Sequence, residues 1–318
     1  MKDRRPATAP DKKFLIAGIG ELVWDLYPGQ RSIGGTPANV ALHARQLGNE
    51  AVLVSRVGND APGRELIEAL RQRGVNSDFI QTDPHKPTGT VAVTLDPHGL
   101  PSFRCSHEVA FDALCFTPAL AALAATCDAV LFSLLSQRSS AAAETIRNFV
   151  GTARRAVKVL DPNARTSAAE LQKLLPPSLR LADIVKMNEE ELHRLHAALA
   201  HSGESVTSFI RRLMREYDLA LVAITRGGQG CELFSRDEHH TCAGMTVPVV
   251  DTTGAGDAFA AALIHRYLRG ASLAELGSYA NRVAAAACTK LGASPLLTSD
   301  EIAYHVPAEQ TCSGPAGR

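Results

Sequence analysis

From about residue 119 onward, short apolar runs alternate with alanine- and leucine-rich segments of helical length, and this alternation constrains the fold more than any other feature. Ala129 to Ser133, Ala156 to Leu160, Asp183 to Met187 and Ala220 to Ile224 read as strands, with helix-like stretches between them. Strands that take turns with helices form a parallel sheet covered on both faces. The expected fold class is therefore α/β with a mostly parallel central sheet. Ligands then belong at the carboxyl ends of the strands, and the polar motifs fall there. Phe14 to Ile19, ahead of Gly20, reads as the first buried strand. Thr88 to Leu95 alternates as a strand, Pro97-His98-Gly99 as a turn, and Ser102-Phe103-Arg104 starts a return. That hairpin, with part of residues 21 to 34, reads as a small second sheet.

A second stretch carries the chemistry. Val247 to Val250, interrupted by Pro248, gives way to Asp251-Thr252-Thr253-Gly254-Ala255-Gly256-Asp257 and then to a helix-forming segment that Gly270 closes. It reads as strand, loop, helix. Glycines at 254 and 256 let another group approach the backbone, and a helix start presents unpaired N–H groups and the positive end of its dipole. That is a seat for an anion. Asp257 in the first turn puts a carboxylate base beside it. Base and anion seat together point to phosphoryl transfer to a hydroxyl, while the same residues also fit an acidic first turn with no chemistry attached.

The string Asp251 to Asp257 closely resembles the C-terminal signature of the ribokinase/PfkB family of sugar kinases. The stretch from Gly34-Gly35-Thr36-Pro37-Ala38-Asn39 through Val57-Gly58-Asn59-Asp60 and Gly63-Arg64 to Gly74-Val75 resembles its N-terminal signature. The resemblance implies a ribokinase-like three-layer sandwich, one domain over residues 14–305, with a lid from about 21–34 and 88–112 and flexible tails at 1–13 and 306–318. It makes Asp257 the catalytic base and the Gly254, Ala255 and Gly256 backbone the anion hole. It assigns the sugar to Asp25, Gly34, Gly35, Asn39, Arg104, Asp161 and Arg165. On their own, Asp25 reads equally as a strand-end residue, Arg104 as a surface cation, and Asp161-Pro162-Asn163-Ala164-Arg165 as a proline turn with a capping Asp. Thr36-Pro37, where ribokinases usually carry Lys-Gly, is similar to fructokinases, and Asp161 to Arg165 resembles the fructokinase and ketodeoxygluconate kinase branch. D-fructose is the expected acceptor, with ketodeoxygluconate, ribose or a nucleoside, or a catalytically silent sugar-binding relative, as alternatives.

For ATP the resemblance implies Asn188, Thr225, Gly227, Gly230 and Asn281. Asn188 and Glu191, three apart on one helix face, suit a hydrated Mg2+ held through its waters, although an acidic first turn is commonly dipole chemistry alone. A K+ site follows from resemblance only, formed largely by backbone carbonyls around Asp251, Thr253, Ala287, Lys290 and Gly292. A homodimer through the lid is a further implication.

Composition narrows the field. The 318 residues carry 33 Lys plus Arg against 33 Asp plus Glu, so no charge excess calls for nucleic acid or an anionic membrane. The 7 cysteines form no Cys-x-x-Cys pair, which fits a reducing cytoplasm rather than a disulfide framework or structural zinc. Gly18-Ile19-Gly20 lacks the third glycine of a dinucleotide fingerprint, since Val23 stands there, and no Walker motif occurs. His193 and His196 have no third ligand nearby and read as a solvated face. The longest apolar stretch, Pro118 to Leu135, contains Asp128 and reads as helix into strand rather than a membrane span.

Overall fold

The computed structural model describes residues 12–95, 101–164 and 167–303. In chain order the first half contains strands β1 (Leu15–Ile19), β2 (Val23–Tyr27), β3 (Gln30–Gly34), β4 (Glu50–Gly58), β5 (Ile80–Asp83), β6 (Gly89–Leu95) and β7 (Pro101–Cys105). Helices α1 (Thr36–Gln46) and α2 (Ala61–Gln72) flank β4. Thereafter helices and strands alternate: α3 (Pro118–Thr126), β8 (Ala129–Ser133), α4 (Ser140–Thr152), β9 (Val157–Asp161), α5 (Ala168–Leu181), β10 (Ile184–Asn188), α6 (Glu189–Leu199), α7 (Val206–Tyr217) and β11 (Leu221–Thr225). The hairpin β12 (Gly230–Ser235) and β13 (His239–Ala243) leads to α8 (Ala255–Tyr267), α9 (Leu273–Cys288) and α10 (Ser299–Ala303).

The nine-stranded main sheet has the order β13-β12-β11-β10-β9-β8-β1-β4-β5. It is parallel from β11 to β5, and β12 and β13 run antiparallel at one edge. Because successive side chains of a strand point to opposite faces, each strand feeds two cores. Ile16, Leu53, Leu131 and Val159 pack under α1, α8 and α9, whereas Ala17, Val52, Val130 and Leu160 pack under the side of α3 to α7. Such strands must be apolar on both faces, which explains the continuous runs in the sequence. Three layers result.

The order also fixes where a ligand fits. From β1 the chain moves to β4 on one side and later returns to β8 on the other, so a crevice opens at the carboxyl ends of β1 and β8. A four-stranded sheet, order β3-β2-β6-β7, stands over it. The β2–β6 pairing is parallel and the other two are antiparallel. The turn expected at 97–99 lies outside the described residues, as do the tails beyond 303 and before 12.

One sequence expectation fails. Val247 to Val250 is not a strand, and the chain from Gly244 to Gly254 is irregular. Pro248 has no N–H to give a ladder, and Val250 N and Asp251 N both donate to the Cys288 carbonyl, at 2.8 and 3.2 Å, instead of to a strand. Val249 and Val250 are 62% and 61% exposed, so neither joins a core, and Val249 walls a cavity instead. Among the described residues no helix is long and apolar enough to cross a membrane.

Candidate active site

Helix α8 is buried along seven consecutive residues, Ala258 to Ile264, so it runs as a fixed rod through one layer. Its N-cap, Gly254, has φ 75° and no side chain caps the helix. A Cβ at Gly254 would lie 1.9 Å from the Ala293 carbonyl oxygen, so only glycine fits. At Gly256 a Cβ would meet the Lys186 Nζ at 2.7 Å; here the missing side chain admits an ammonium to the helix start. Asp257 follows. Burial, with the charge of Asp161 next in weight, pushes its pKa up to about 7 against the opposing pull of Lys186 and hydrogen bonds from Asn39 and Thr36. A carboxylate poised there can take a proton near neutral pH.

Asn39 comes from α1, whose N-cap Gly35 has φ 102° and approaches the Glu21 carbonyl so closely that a Cβ would sit 2.3 Å from it. Asn39 Nδ2 donates to Asp257 Oδ2 at 2.8 Å, and its Oδ1 is buried without a partner among the described residues. A narrow cavity opens at this pair, with polar walls from Glu21, Asp25, Thr36, Asn163 and Asp257 and apolar ones from Val23, Val91 and Leu135. Asp25 sits on β2, 6% exposed, and Gly34 on the paired strand gives its carboxylate room: a Cβ there would fall 2.3 Å from Asp25 Cγ.

A second cavity, about 230 Å³, lies on the other side of Asp257 and is lined by Asp161, Lys186, Asn188, Glu191 and Gly254 among others. The buried Lys186 Nζ donates to Asp161 Oδ2 at 2.9 Å. Burial alone would lower the Lys186 pKa, but the carboxylates of Asp161, Glu191 and Asp257 together hold it above its ordinary value. Asn188 and Glu191 form a reciprocal cap of α6: Asn188 Oδ1 accepts from Glu191 N at 2.7 Å and Glu191 Oε2 from Asn188 N at 2.9 Å. Glu191 Oε1 also accepts from Ala164 N at 3.1 Å. Burial, then Asp161, raises the Glu191 pKa.

Lys186, Asn188 and Gly256 also border a third cavity of about 330 Å³, bounded by Thr225, Gly227, Gly230, Val247, Val249, Asn281 and Ala284. Three spaces therefore meet around Asp257 and Gly256: a small polar one, a charged one and a larger, more apolar one. A still larger cavity, about 730 Å³, lies near the opposite end of α8 around Arg266, Tyr279 and Arg282, away from these groups.

The sequence-derived residues divide accordingly. The structure brings Asp25, Gly35, Asn39, Asp161, Asn188, Glu191, Thr225, Gly227, Gly230, Gly254, Gly256, Asp257 and Asn281 to the three connected spaces. Asn281 Nδ2 is spent on the Ala243 carbonyl at 3.1 Å, so it shapes the wall. Arg104 is misplaced: its neighbour Cys105 lines the small cavity, so strand alternation turns the exposed Arg104 to the other face of β7. Arg165 lies outside the described residues. The loop read as a monovalent-cation site is a clasp: Asp251 accepts from Thr253 N at 2.8 Å and Gly292 N at 2.9 Å, and the Ala287 carbonyl from Lys290 N at 3.2 Å. Lys290 Nζ turns to Leu296 O and Glu301. Sequence reasoning missed Lys186, Glu21 and Asn163; a lone lysine inside the buried run Ile184 to Met187 was the signal for the first.

Comparison with known proteins bears on the family. The family model described as pfkB family carbohydrate kinase matches residues 20–300. A putative sugar kinase of Pyrococcus horikoshii is 32% identical over 315 residues, covering 93% of this chain and 97% of the relative. Its crystal structure in complex with ATP superimposes with a TM-score of 0.75 at 33% identity, covering 87% of this chain and 93% of that one. A fructokinase of Klebsiella pneumoniae is 32% identical over 261 residues, 77% of this chain and 82% of the relative. The structure of a Vibrio cholerae fructokinase with fructose, ADP and calcium bound is 26% identical with a TM-score of 0.72, covering 89% and 95%. With a family match over residues 20–300 and a relative 32% identical along 93% of this chain, the protein belongs to the pfkB family of carbohydrate kinases.

Proposed function

We propose that the chain transfers the γ-phosphoryl group of ATP to a primary hydroxyl of a free, uncharged sugar, D-fructose first among them. The observation that carries this reading is the position of Asp257, at the start of an uncapped helix and between a small polar cavity and a larger one. The sugar occupies the small cavity, with Asp25 and the open Asn39 Oδ1 accepting hydrogen bonds from its hydroxyls and Asp257 next to the reacting oxygen. A relative has been crystallised with ATP, and here the nucleotide takes the cavity of Thr225, Gly227 and Asn281, whose apolar wall suits a base and whose charged end carries Lys186.

In the transfer step Asp257 accepts the hydroxyl proton as the sugar oxygen attacks the γ-phosphorus in line and the bond to the β-phosphate oxygen breaks, leaving ADP. Lys186 and the α8 N-terminus face the charge that builds on the transferred group. Asn188 and Glu191 would hold Mg2+ through water, and the ion would neutralise phosphate charge. The four-stranded sheet acts as the lid that keeps water from the reaction.

The described cavity walls support an uncharged acceptor. Among the described residues lining the small cavity there is no Lys, Arg or His, while Glu21, Asp25 and Asp257 supply carboxyl groups. A sugar acid such as ketodeoxygluconate, or a sugar phosphate, would bring its own negative charge to these without a partner.

The test is ATP turnover with Mg2+ against fructose, ketodeoxygluconate, ribose, glucose, fructose 6-phosphate and adenosine, with Asp257→Asn alongside. Selective turnover of fructose, lost by at least ~10² in the variant, is expected. Preference for an acidic or phosphorylated sugar overturns the acceptor assignment, and near-normal turnover by Asp257→Asn overturns the base.

A further inference from the structure

Glu21 is a buried carboxyl group, 1% exposed, just beyond β1 at the crevice, and the step above leaves it without a task. Its surroundings are built for it. Ser133 Oγ donates to Oε2 at 3.0 Å and Ser136 Oγ donates to the same oxygen. Thr36 N donates to Oε1 at 3.1 Å, and Glu21 N donates back to Ser136 Oγ at 3.1 Å. Gly20 gives Ser136 its place, since a Cβ there would lie 1.9 Å from Ser136 Oγ.

The contact with Thr36 has a particular meaning. Thr36 is the first residue of α1, and the N-cap before it is Gly35, which has no side chain to satisfy the helix start. Glu21 supplies that acceptor from another part of the chain. It thereby ties the start of α1 to the end of β8, and Asn39 stands one turn further along α1 with its amide on Asp257. Asn163 Nδ2 holds the Thr36 hydroxyl from the opposite side at 3.1 Å.

We propose that Glu21 is a positioning residue of the transfer site: it caps α1 from outside the helix and so holds the Asn39 amide on Asp257 Oδ2. The inference rests on Asp257 being the base. Without the cap, α1 loses its fixed start and the Asn39 bond to the carboxylate loosens. That bond favours the ionised form of Asp257, so its loss makes the base harder to ionise.

The sign separates this from a plain charge effect. The groups that face Asp257 are Asp161 from β9, Lys186 from β10, and Thr36 and Asn39 from α1, with Glu191 of α6 beside Lys186. Glu21 itself faces Cys105 of β7 as well as its serines. Deleting a nearby negative charge would ease ionisation of Asp257; deleting the cap makes it harder.

The experiment measures kcat/KM for the acceptor against pH in wild type, Glu21→Ala, Glu21→Gln, Asn39→Ala and the Glu21→Ala/Asn39→Ala double variant, with Asp257→Asn as reference. Expected is an acid limb moved upward by about one unit in Glu21→Ala and in Asn39→Ala, with no further movement in the double variant. Glu21→Gln keeps an acceptor for Thr36 N and leaves the limb in place. KM for ATP stays within about twofold throughout, because the nucleotide cavity is not touched. Should Glu21→Ala not fold, Glu21→Leu fills the space without an acceptor and carries the same expectation. An unmoved or downward-moved limb, additive shifts, or Glu21→Gln as impaired as Glu21→Ala overturns the positioning role while Asp257→Asn stays inactive. Turnover by Asp257→Asn removes the base assignment and this inference with it.

Discussion

Replacing Lys186 with methionine keeps an unbranched side chain one atom shorter and removes the ammonium, with its charge and its hydrogen bond to Asp161. In the folded protein that charge balances Asp161 at 2.9 Å and also pulls on Glu191 and Asp257. Two losses follow, and they are separable. Leaving one member of a buried ion pair uncompensated costs about 3–5 kcal/mol, and the lower end applies because Asp161 borders a cavity that water can enter. The second loss is catalytic. With Lys186 present the Asp257 pKa stands at about 7, so roughly half of the enzyme carries the ionised base at neutral pH. Removing the ammonium raises that pKa by about 1–2 units, which leaves roughly 1–10% ionised. Loss of a cation facing the transferred phosphoryl adds about 10². Steady-state kcat/KM from about pH 5.5 to 9.5 reads both: near neutrality the deficit is about 10³, and at the alkaline end it shrinks to the ~10² that ionisation cannot restore. The double variant Lys186→Met/Asp161→Asn removes both charges of the pair, and urea titration should return its stability to within about 1 kcal/mol of wild type while the rate stays low. Asp161→Asn alone should move the acid limb down, because Asp161 is one of the causes that raise Asp257. An unmoved acid limb in Lys186→Met, or a double variant as unstable as the single one, refutes the reasoning.

Three further outcomes follow from the same geometry. Asp257 binds its proton more tightly folded than unfolded, so its contribution to stability falls as pH rises from about 4 through about 7 and is level above; Asp257→Asn should exceed wild type by about 2–4 kcal/mol in urea titrations at alkaline pH, and by little in acid. Gly254→Ala adds a Cβ 1.9 Å from the Ala293 carbonyl at φ 75° and should cost more than ~3 kcal/mol, whereas Gly29→Ala, at φ 79° with nothing within 4 Å, should cost only the ~1 kcal/mol of the left-handed conformation, both read by thermal melts. Gly256→Ala places its Cβ 2.7 Å from the flexible Lys186 amine, so the fold should survive while kcat falls by about 10-fold or more; unchanged kcat would mean that Lys186 has no part in the transfer.

How far the sequence discloses this protein depends on the distance over which each contact acts. The strands of the main sheet were legible because burial on both faces forces a continuous apolar run, and β8 to β11 lie within a residue of the runs that announce them. The neighbour order was not legible in those runs, since nothing local says that β1 pairs with both β4 and β8. Val247 to Val250 misled for a related reason: β-branched residues fit a pleated surface, yet here the backbone joins no described strand, and Val247 and Val249 form a cavity wall instead. Arg104 misled through parity. Its register partner is Ala92, while Val91, the partner of Cys105, lines the small cavity, and a shift of one residue exchanges the two faces.

The charges of the site show the same limit and also what the fold accomplishes. Over the whole chain, acids and bases cancel at 33 each, and that balance suggests no preference for any charged partner. Folding then sorts them. The two cavities on either side of Asp257 receive Glu21, Asp25, Asp161 and Glu191, and among the described lining residues only Lys186 is a permanent cation. Such a site repels the phosphates it is meant to receive. What moderates the repulsion is hydrogen bonding: Glu21 takes the start of α1, Glu191 that of α6, and Asp161 the Lys186 ammonium. Each of these carboxyl groups is thereby turned into a support, and Asp257 alone combines a strongly raised pKa with a place beside an uncapped helix start. A nucleotide must then bring most of its neutralising charge with it, as a divalent ion on its phosphates, and the local excess of acids gives such an ion a reason to stay. An acceptor that reaches the small cavity without charge avoids the same repulsion, and the imbalance behind it is one that no count over the sequence could reveal.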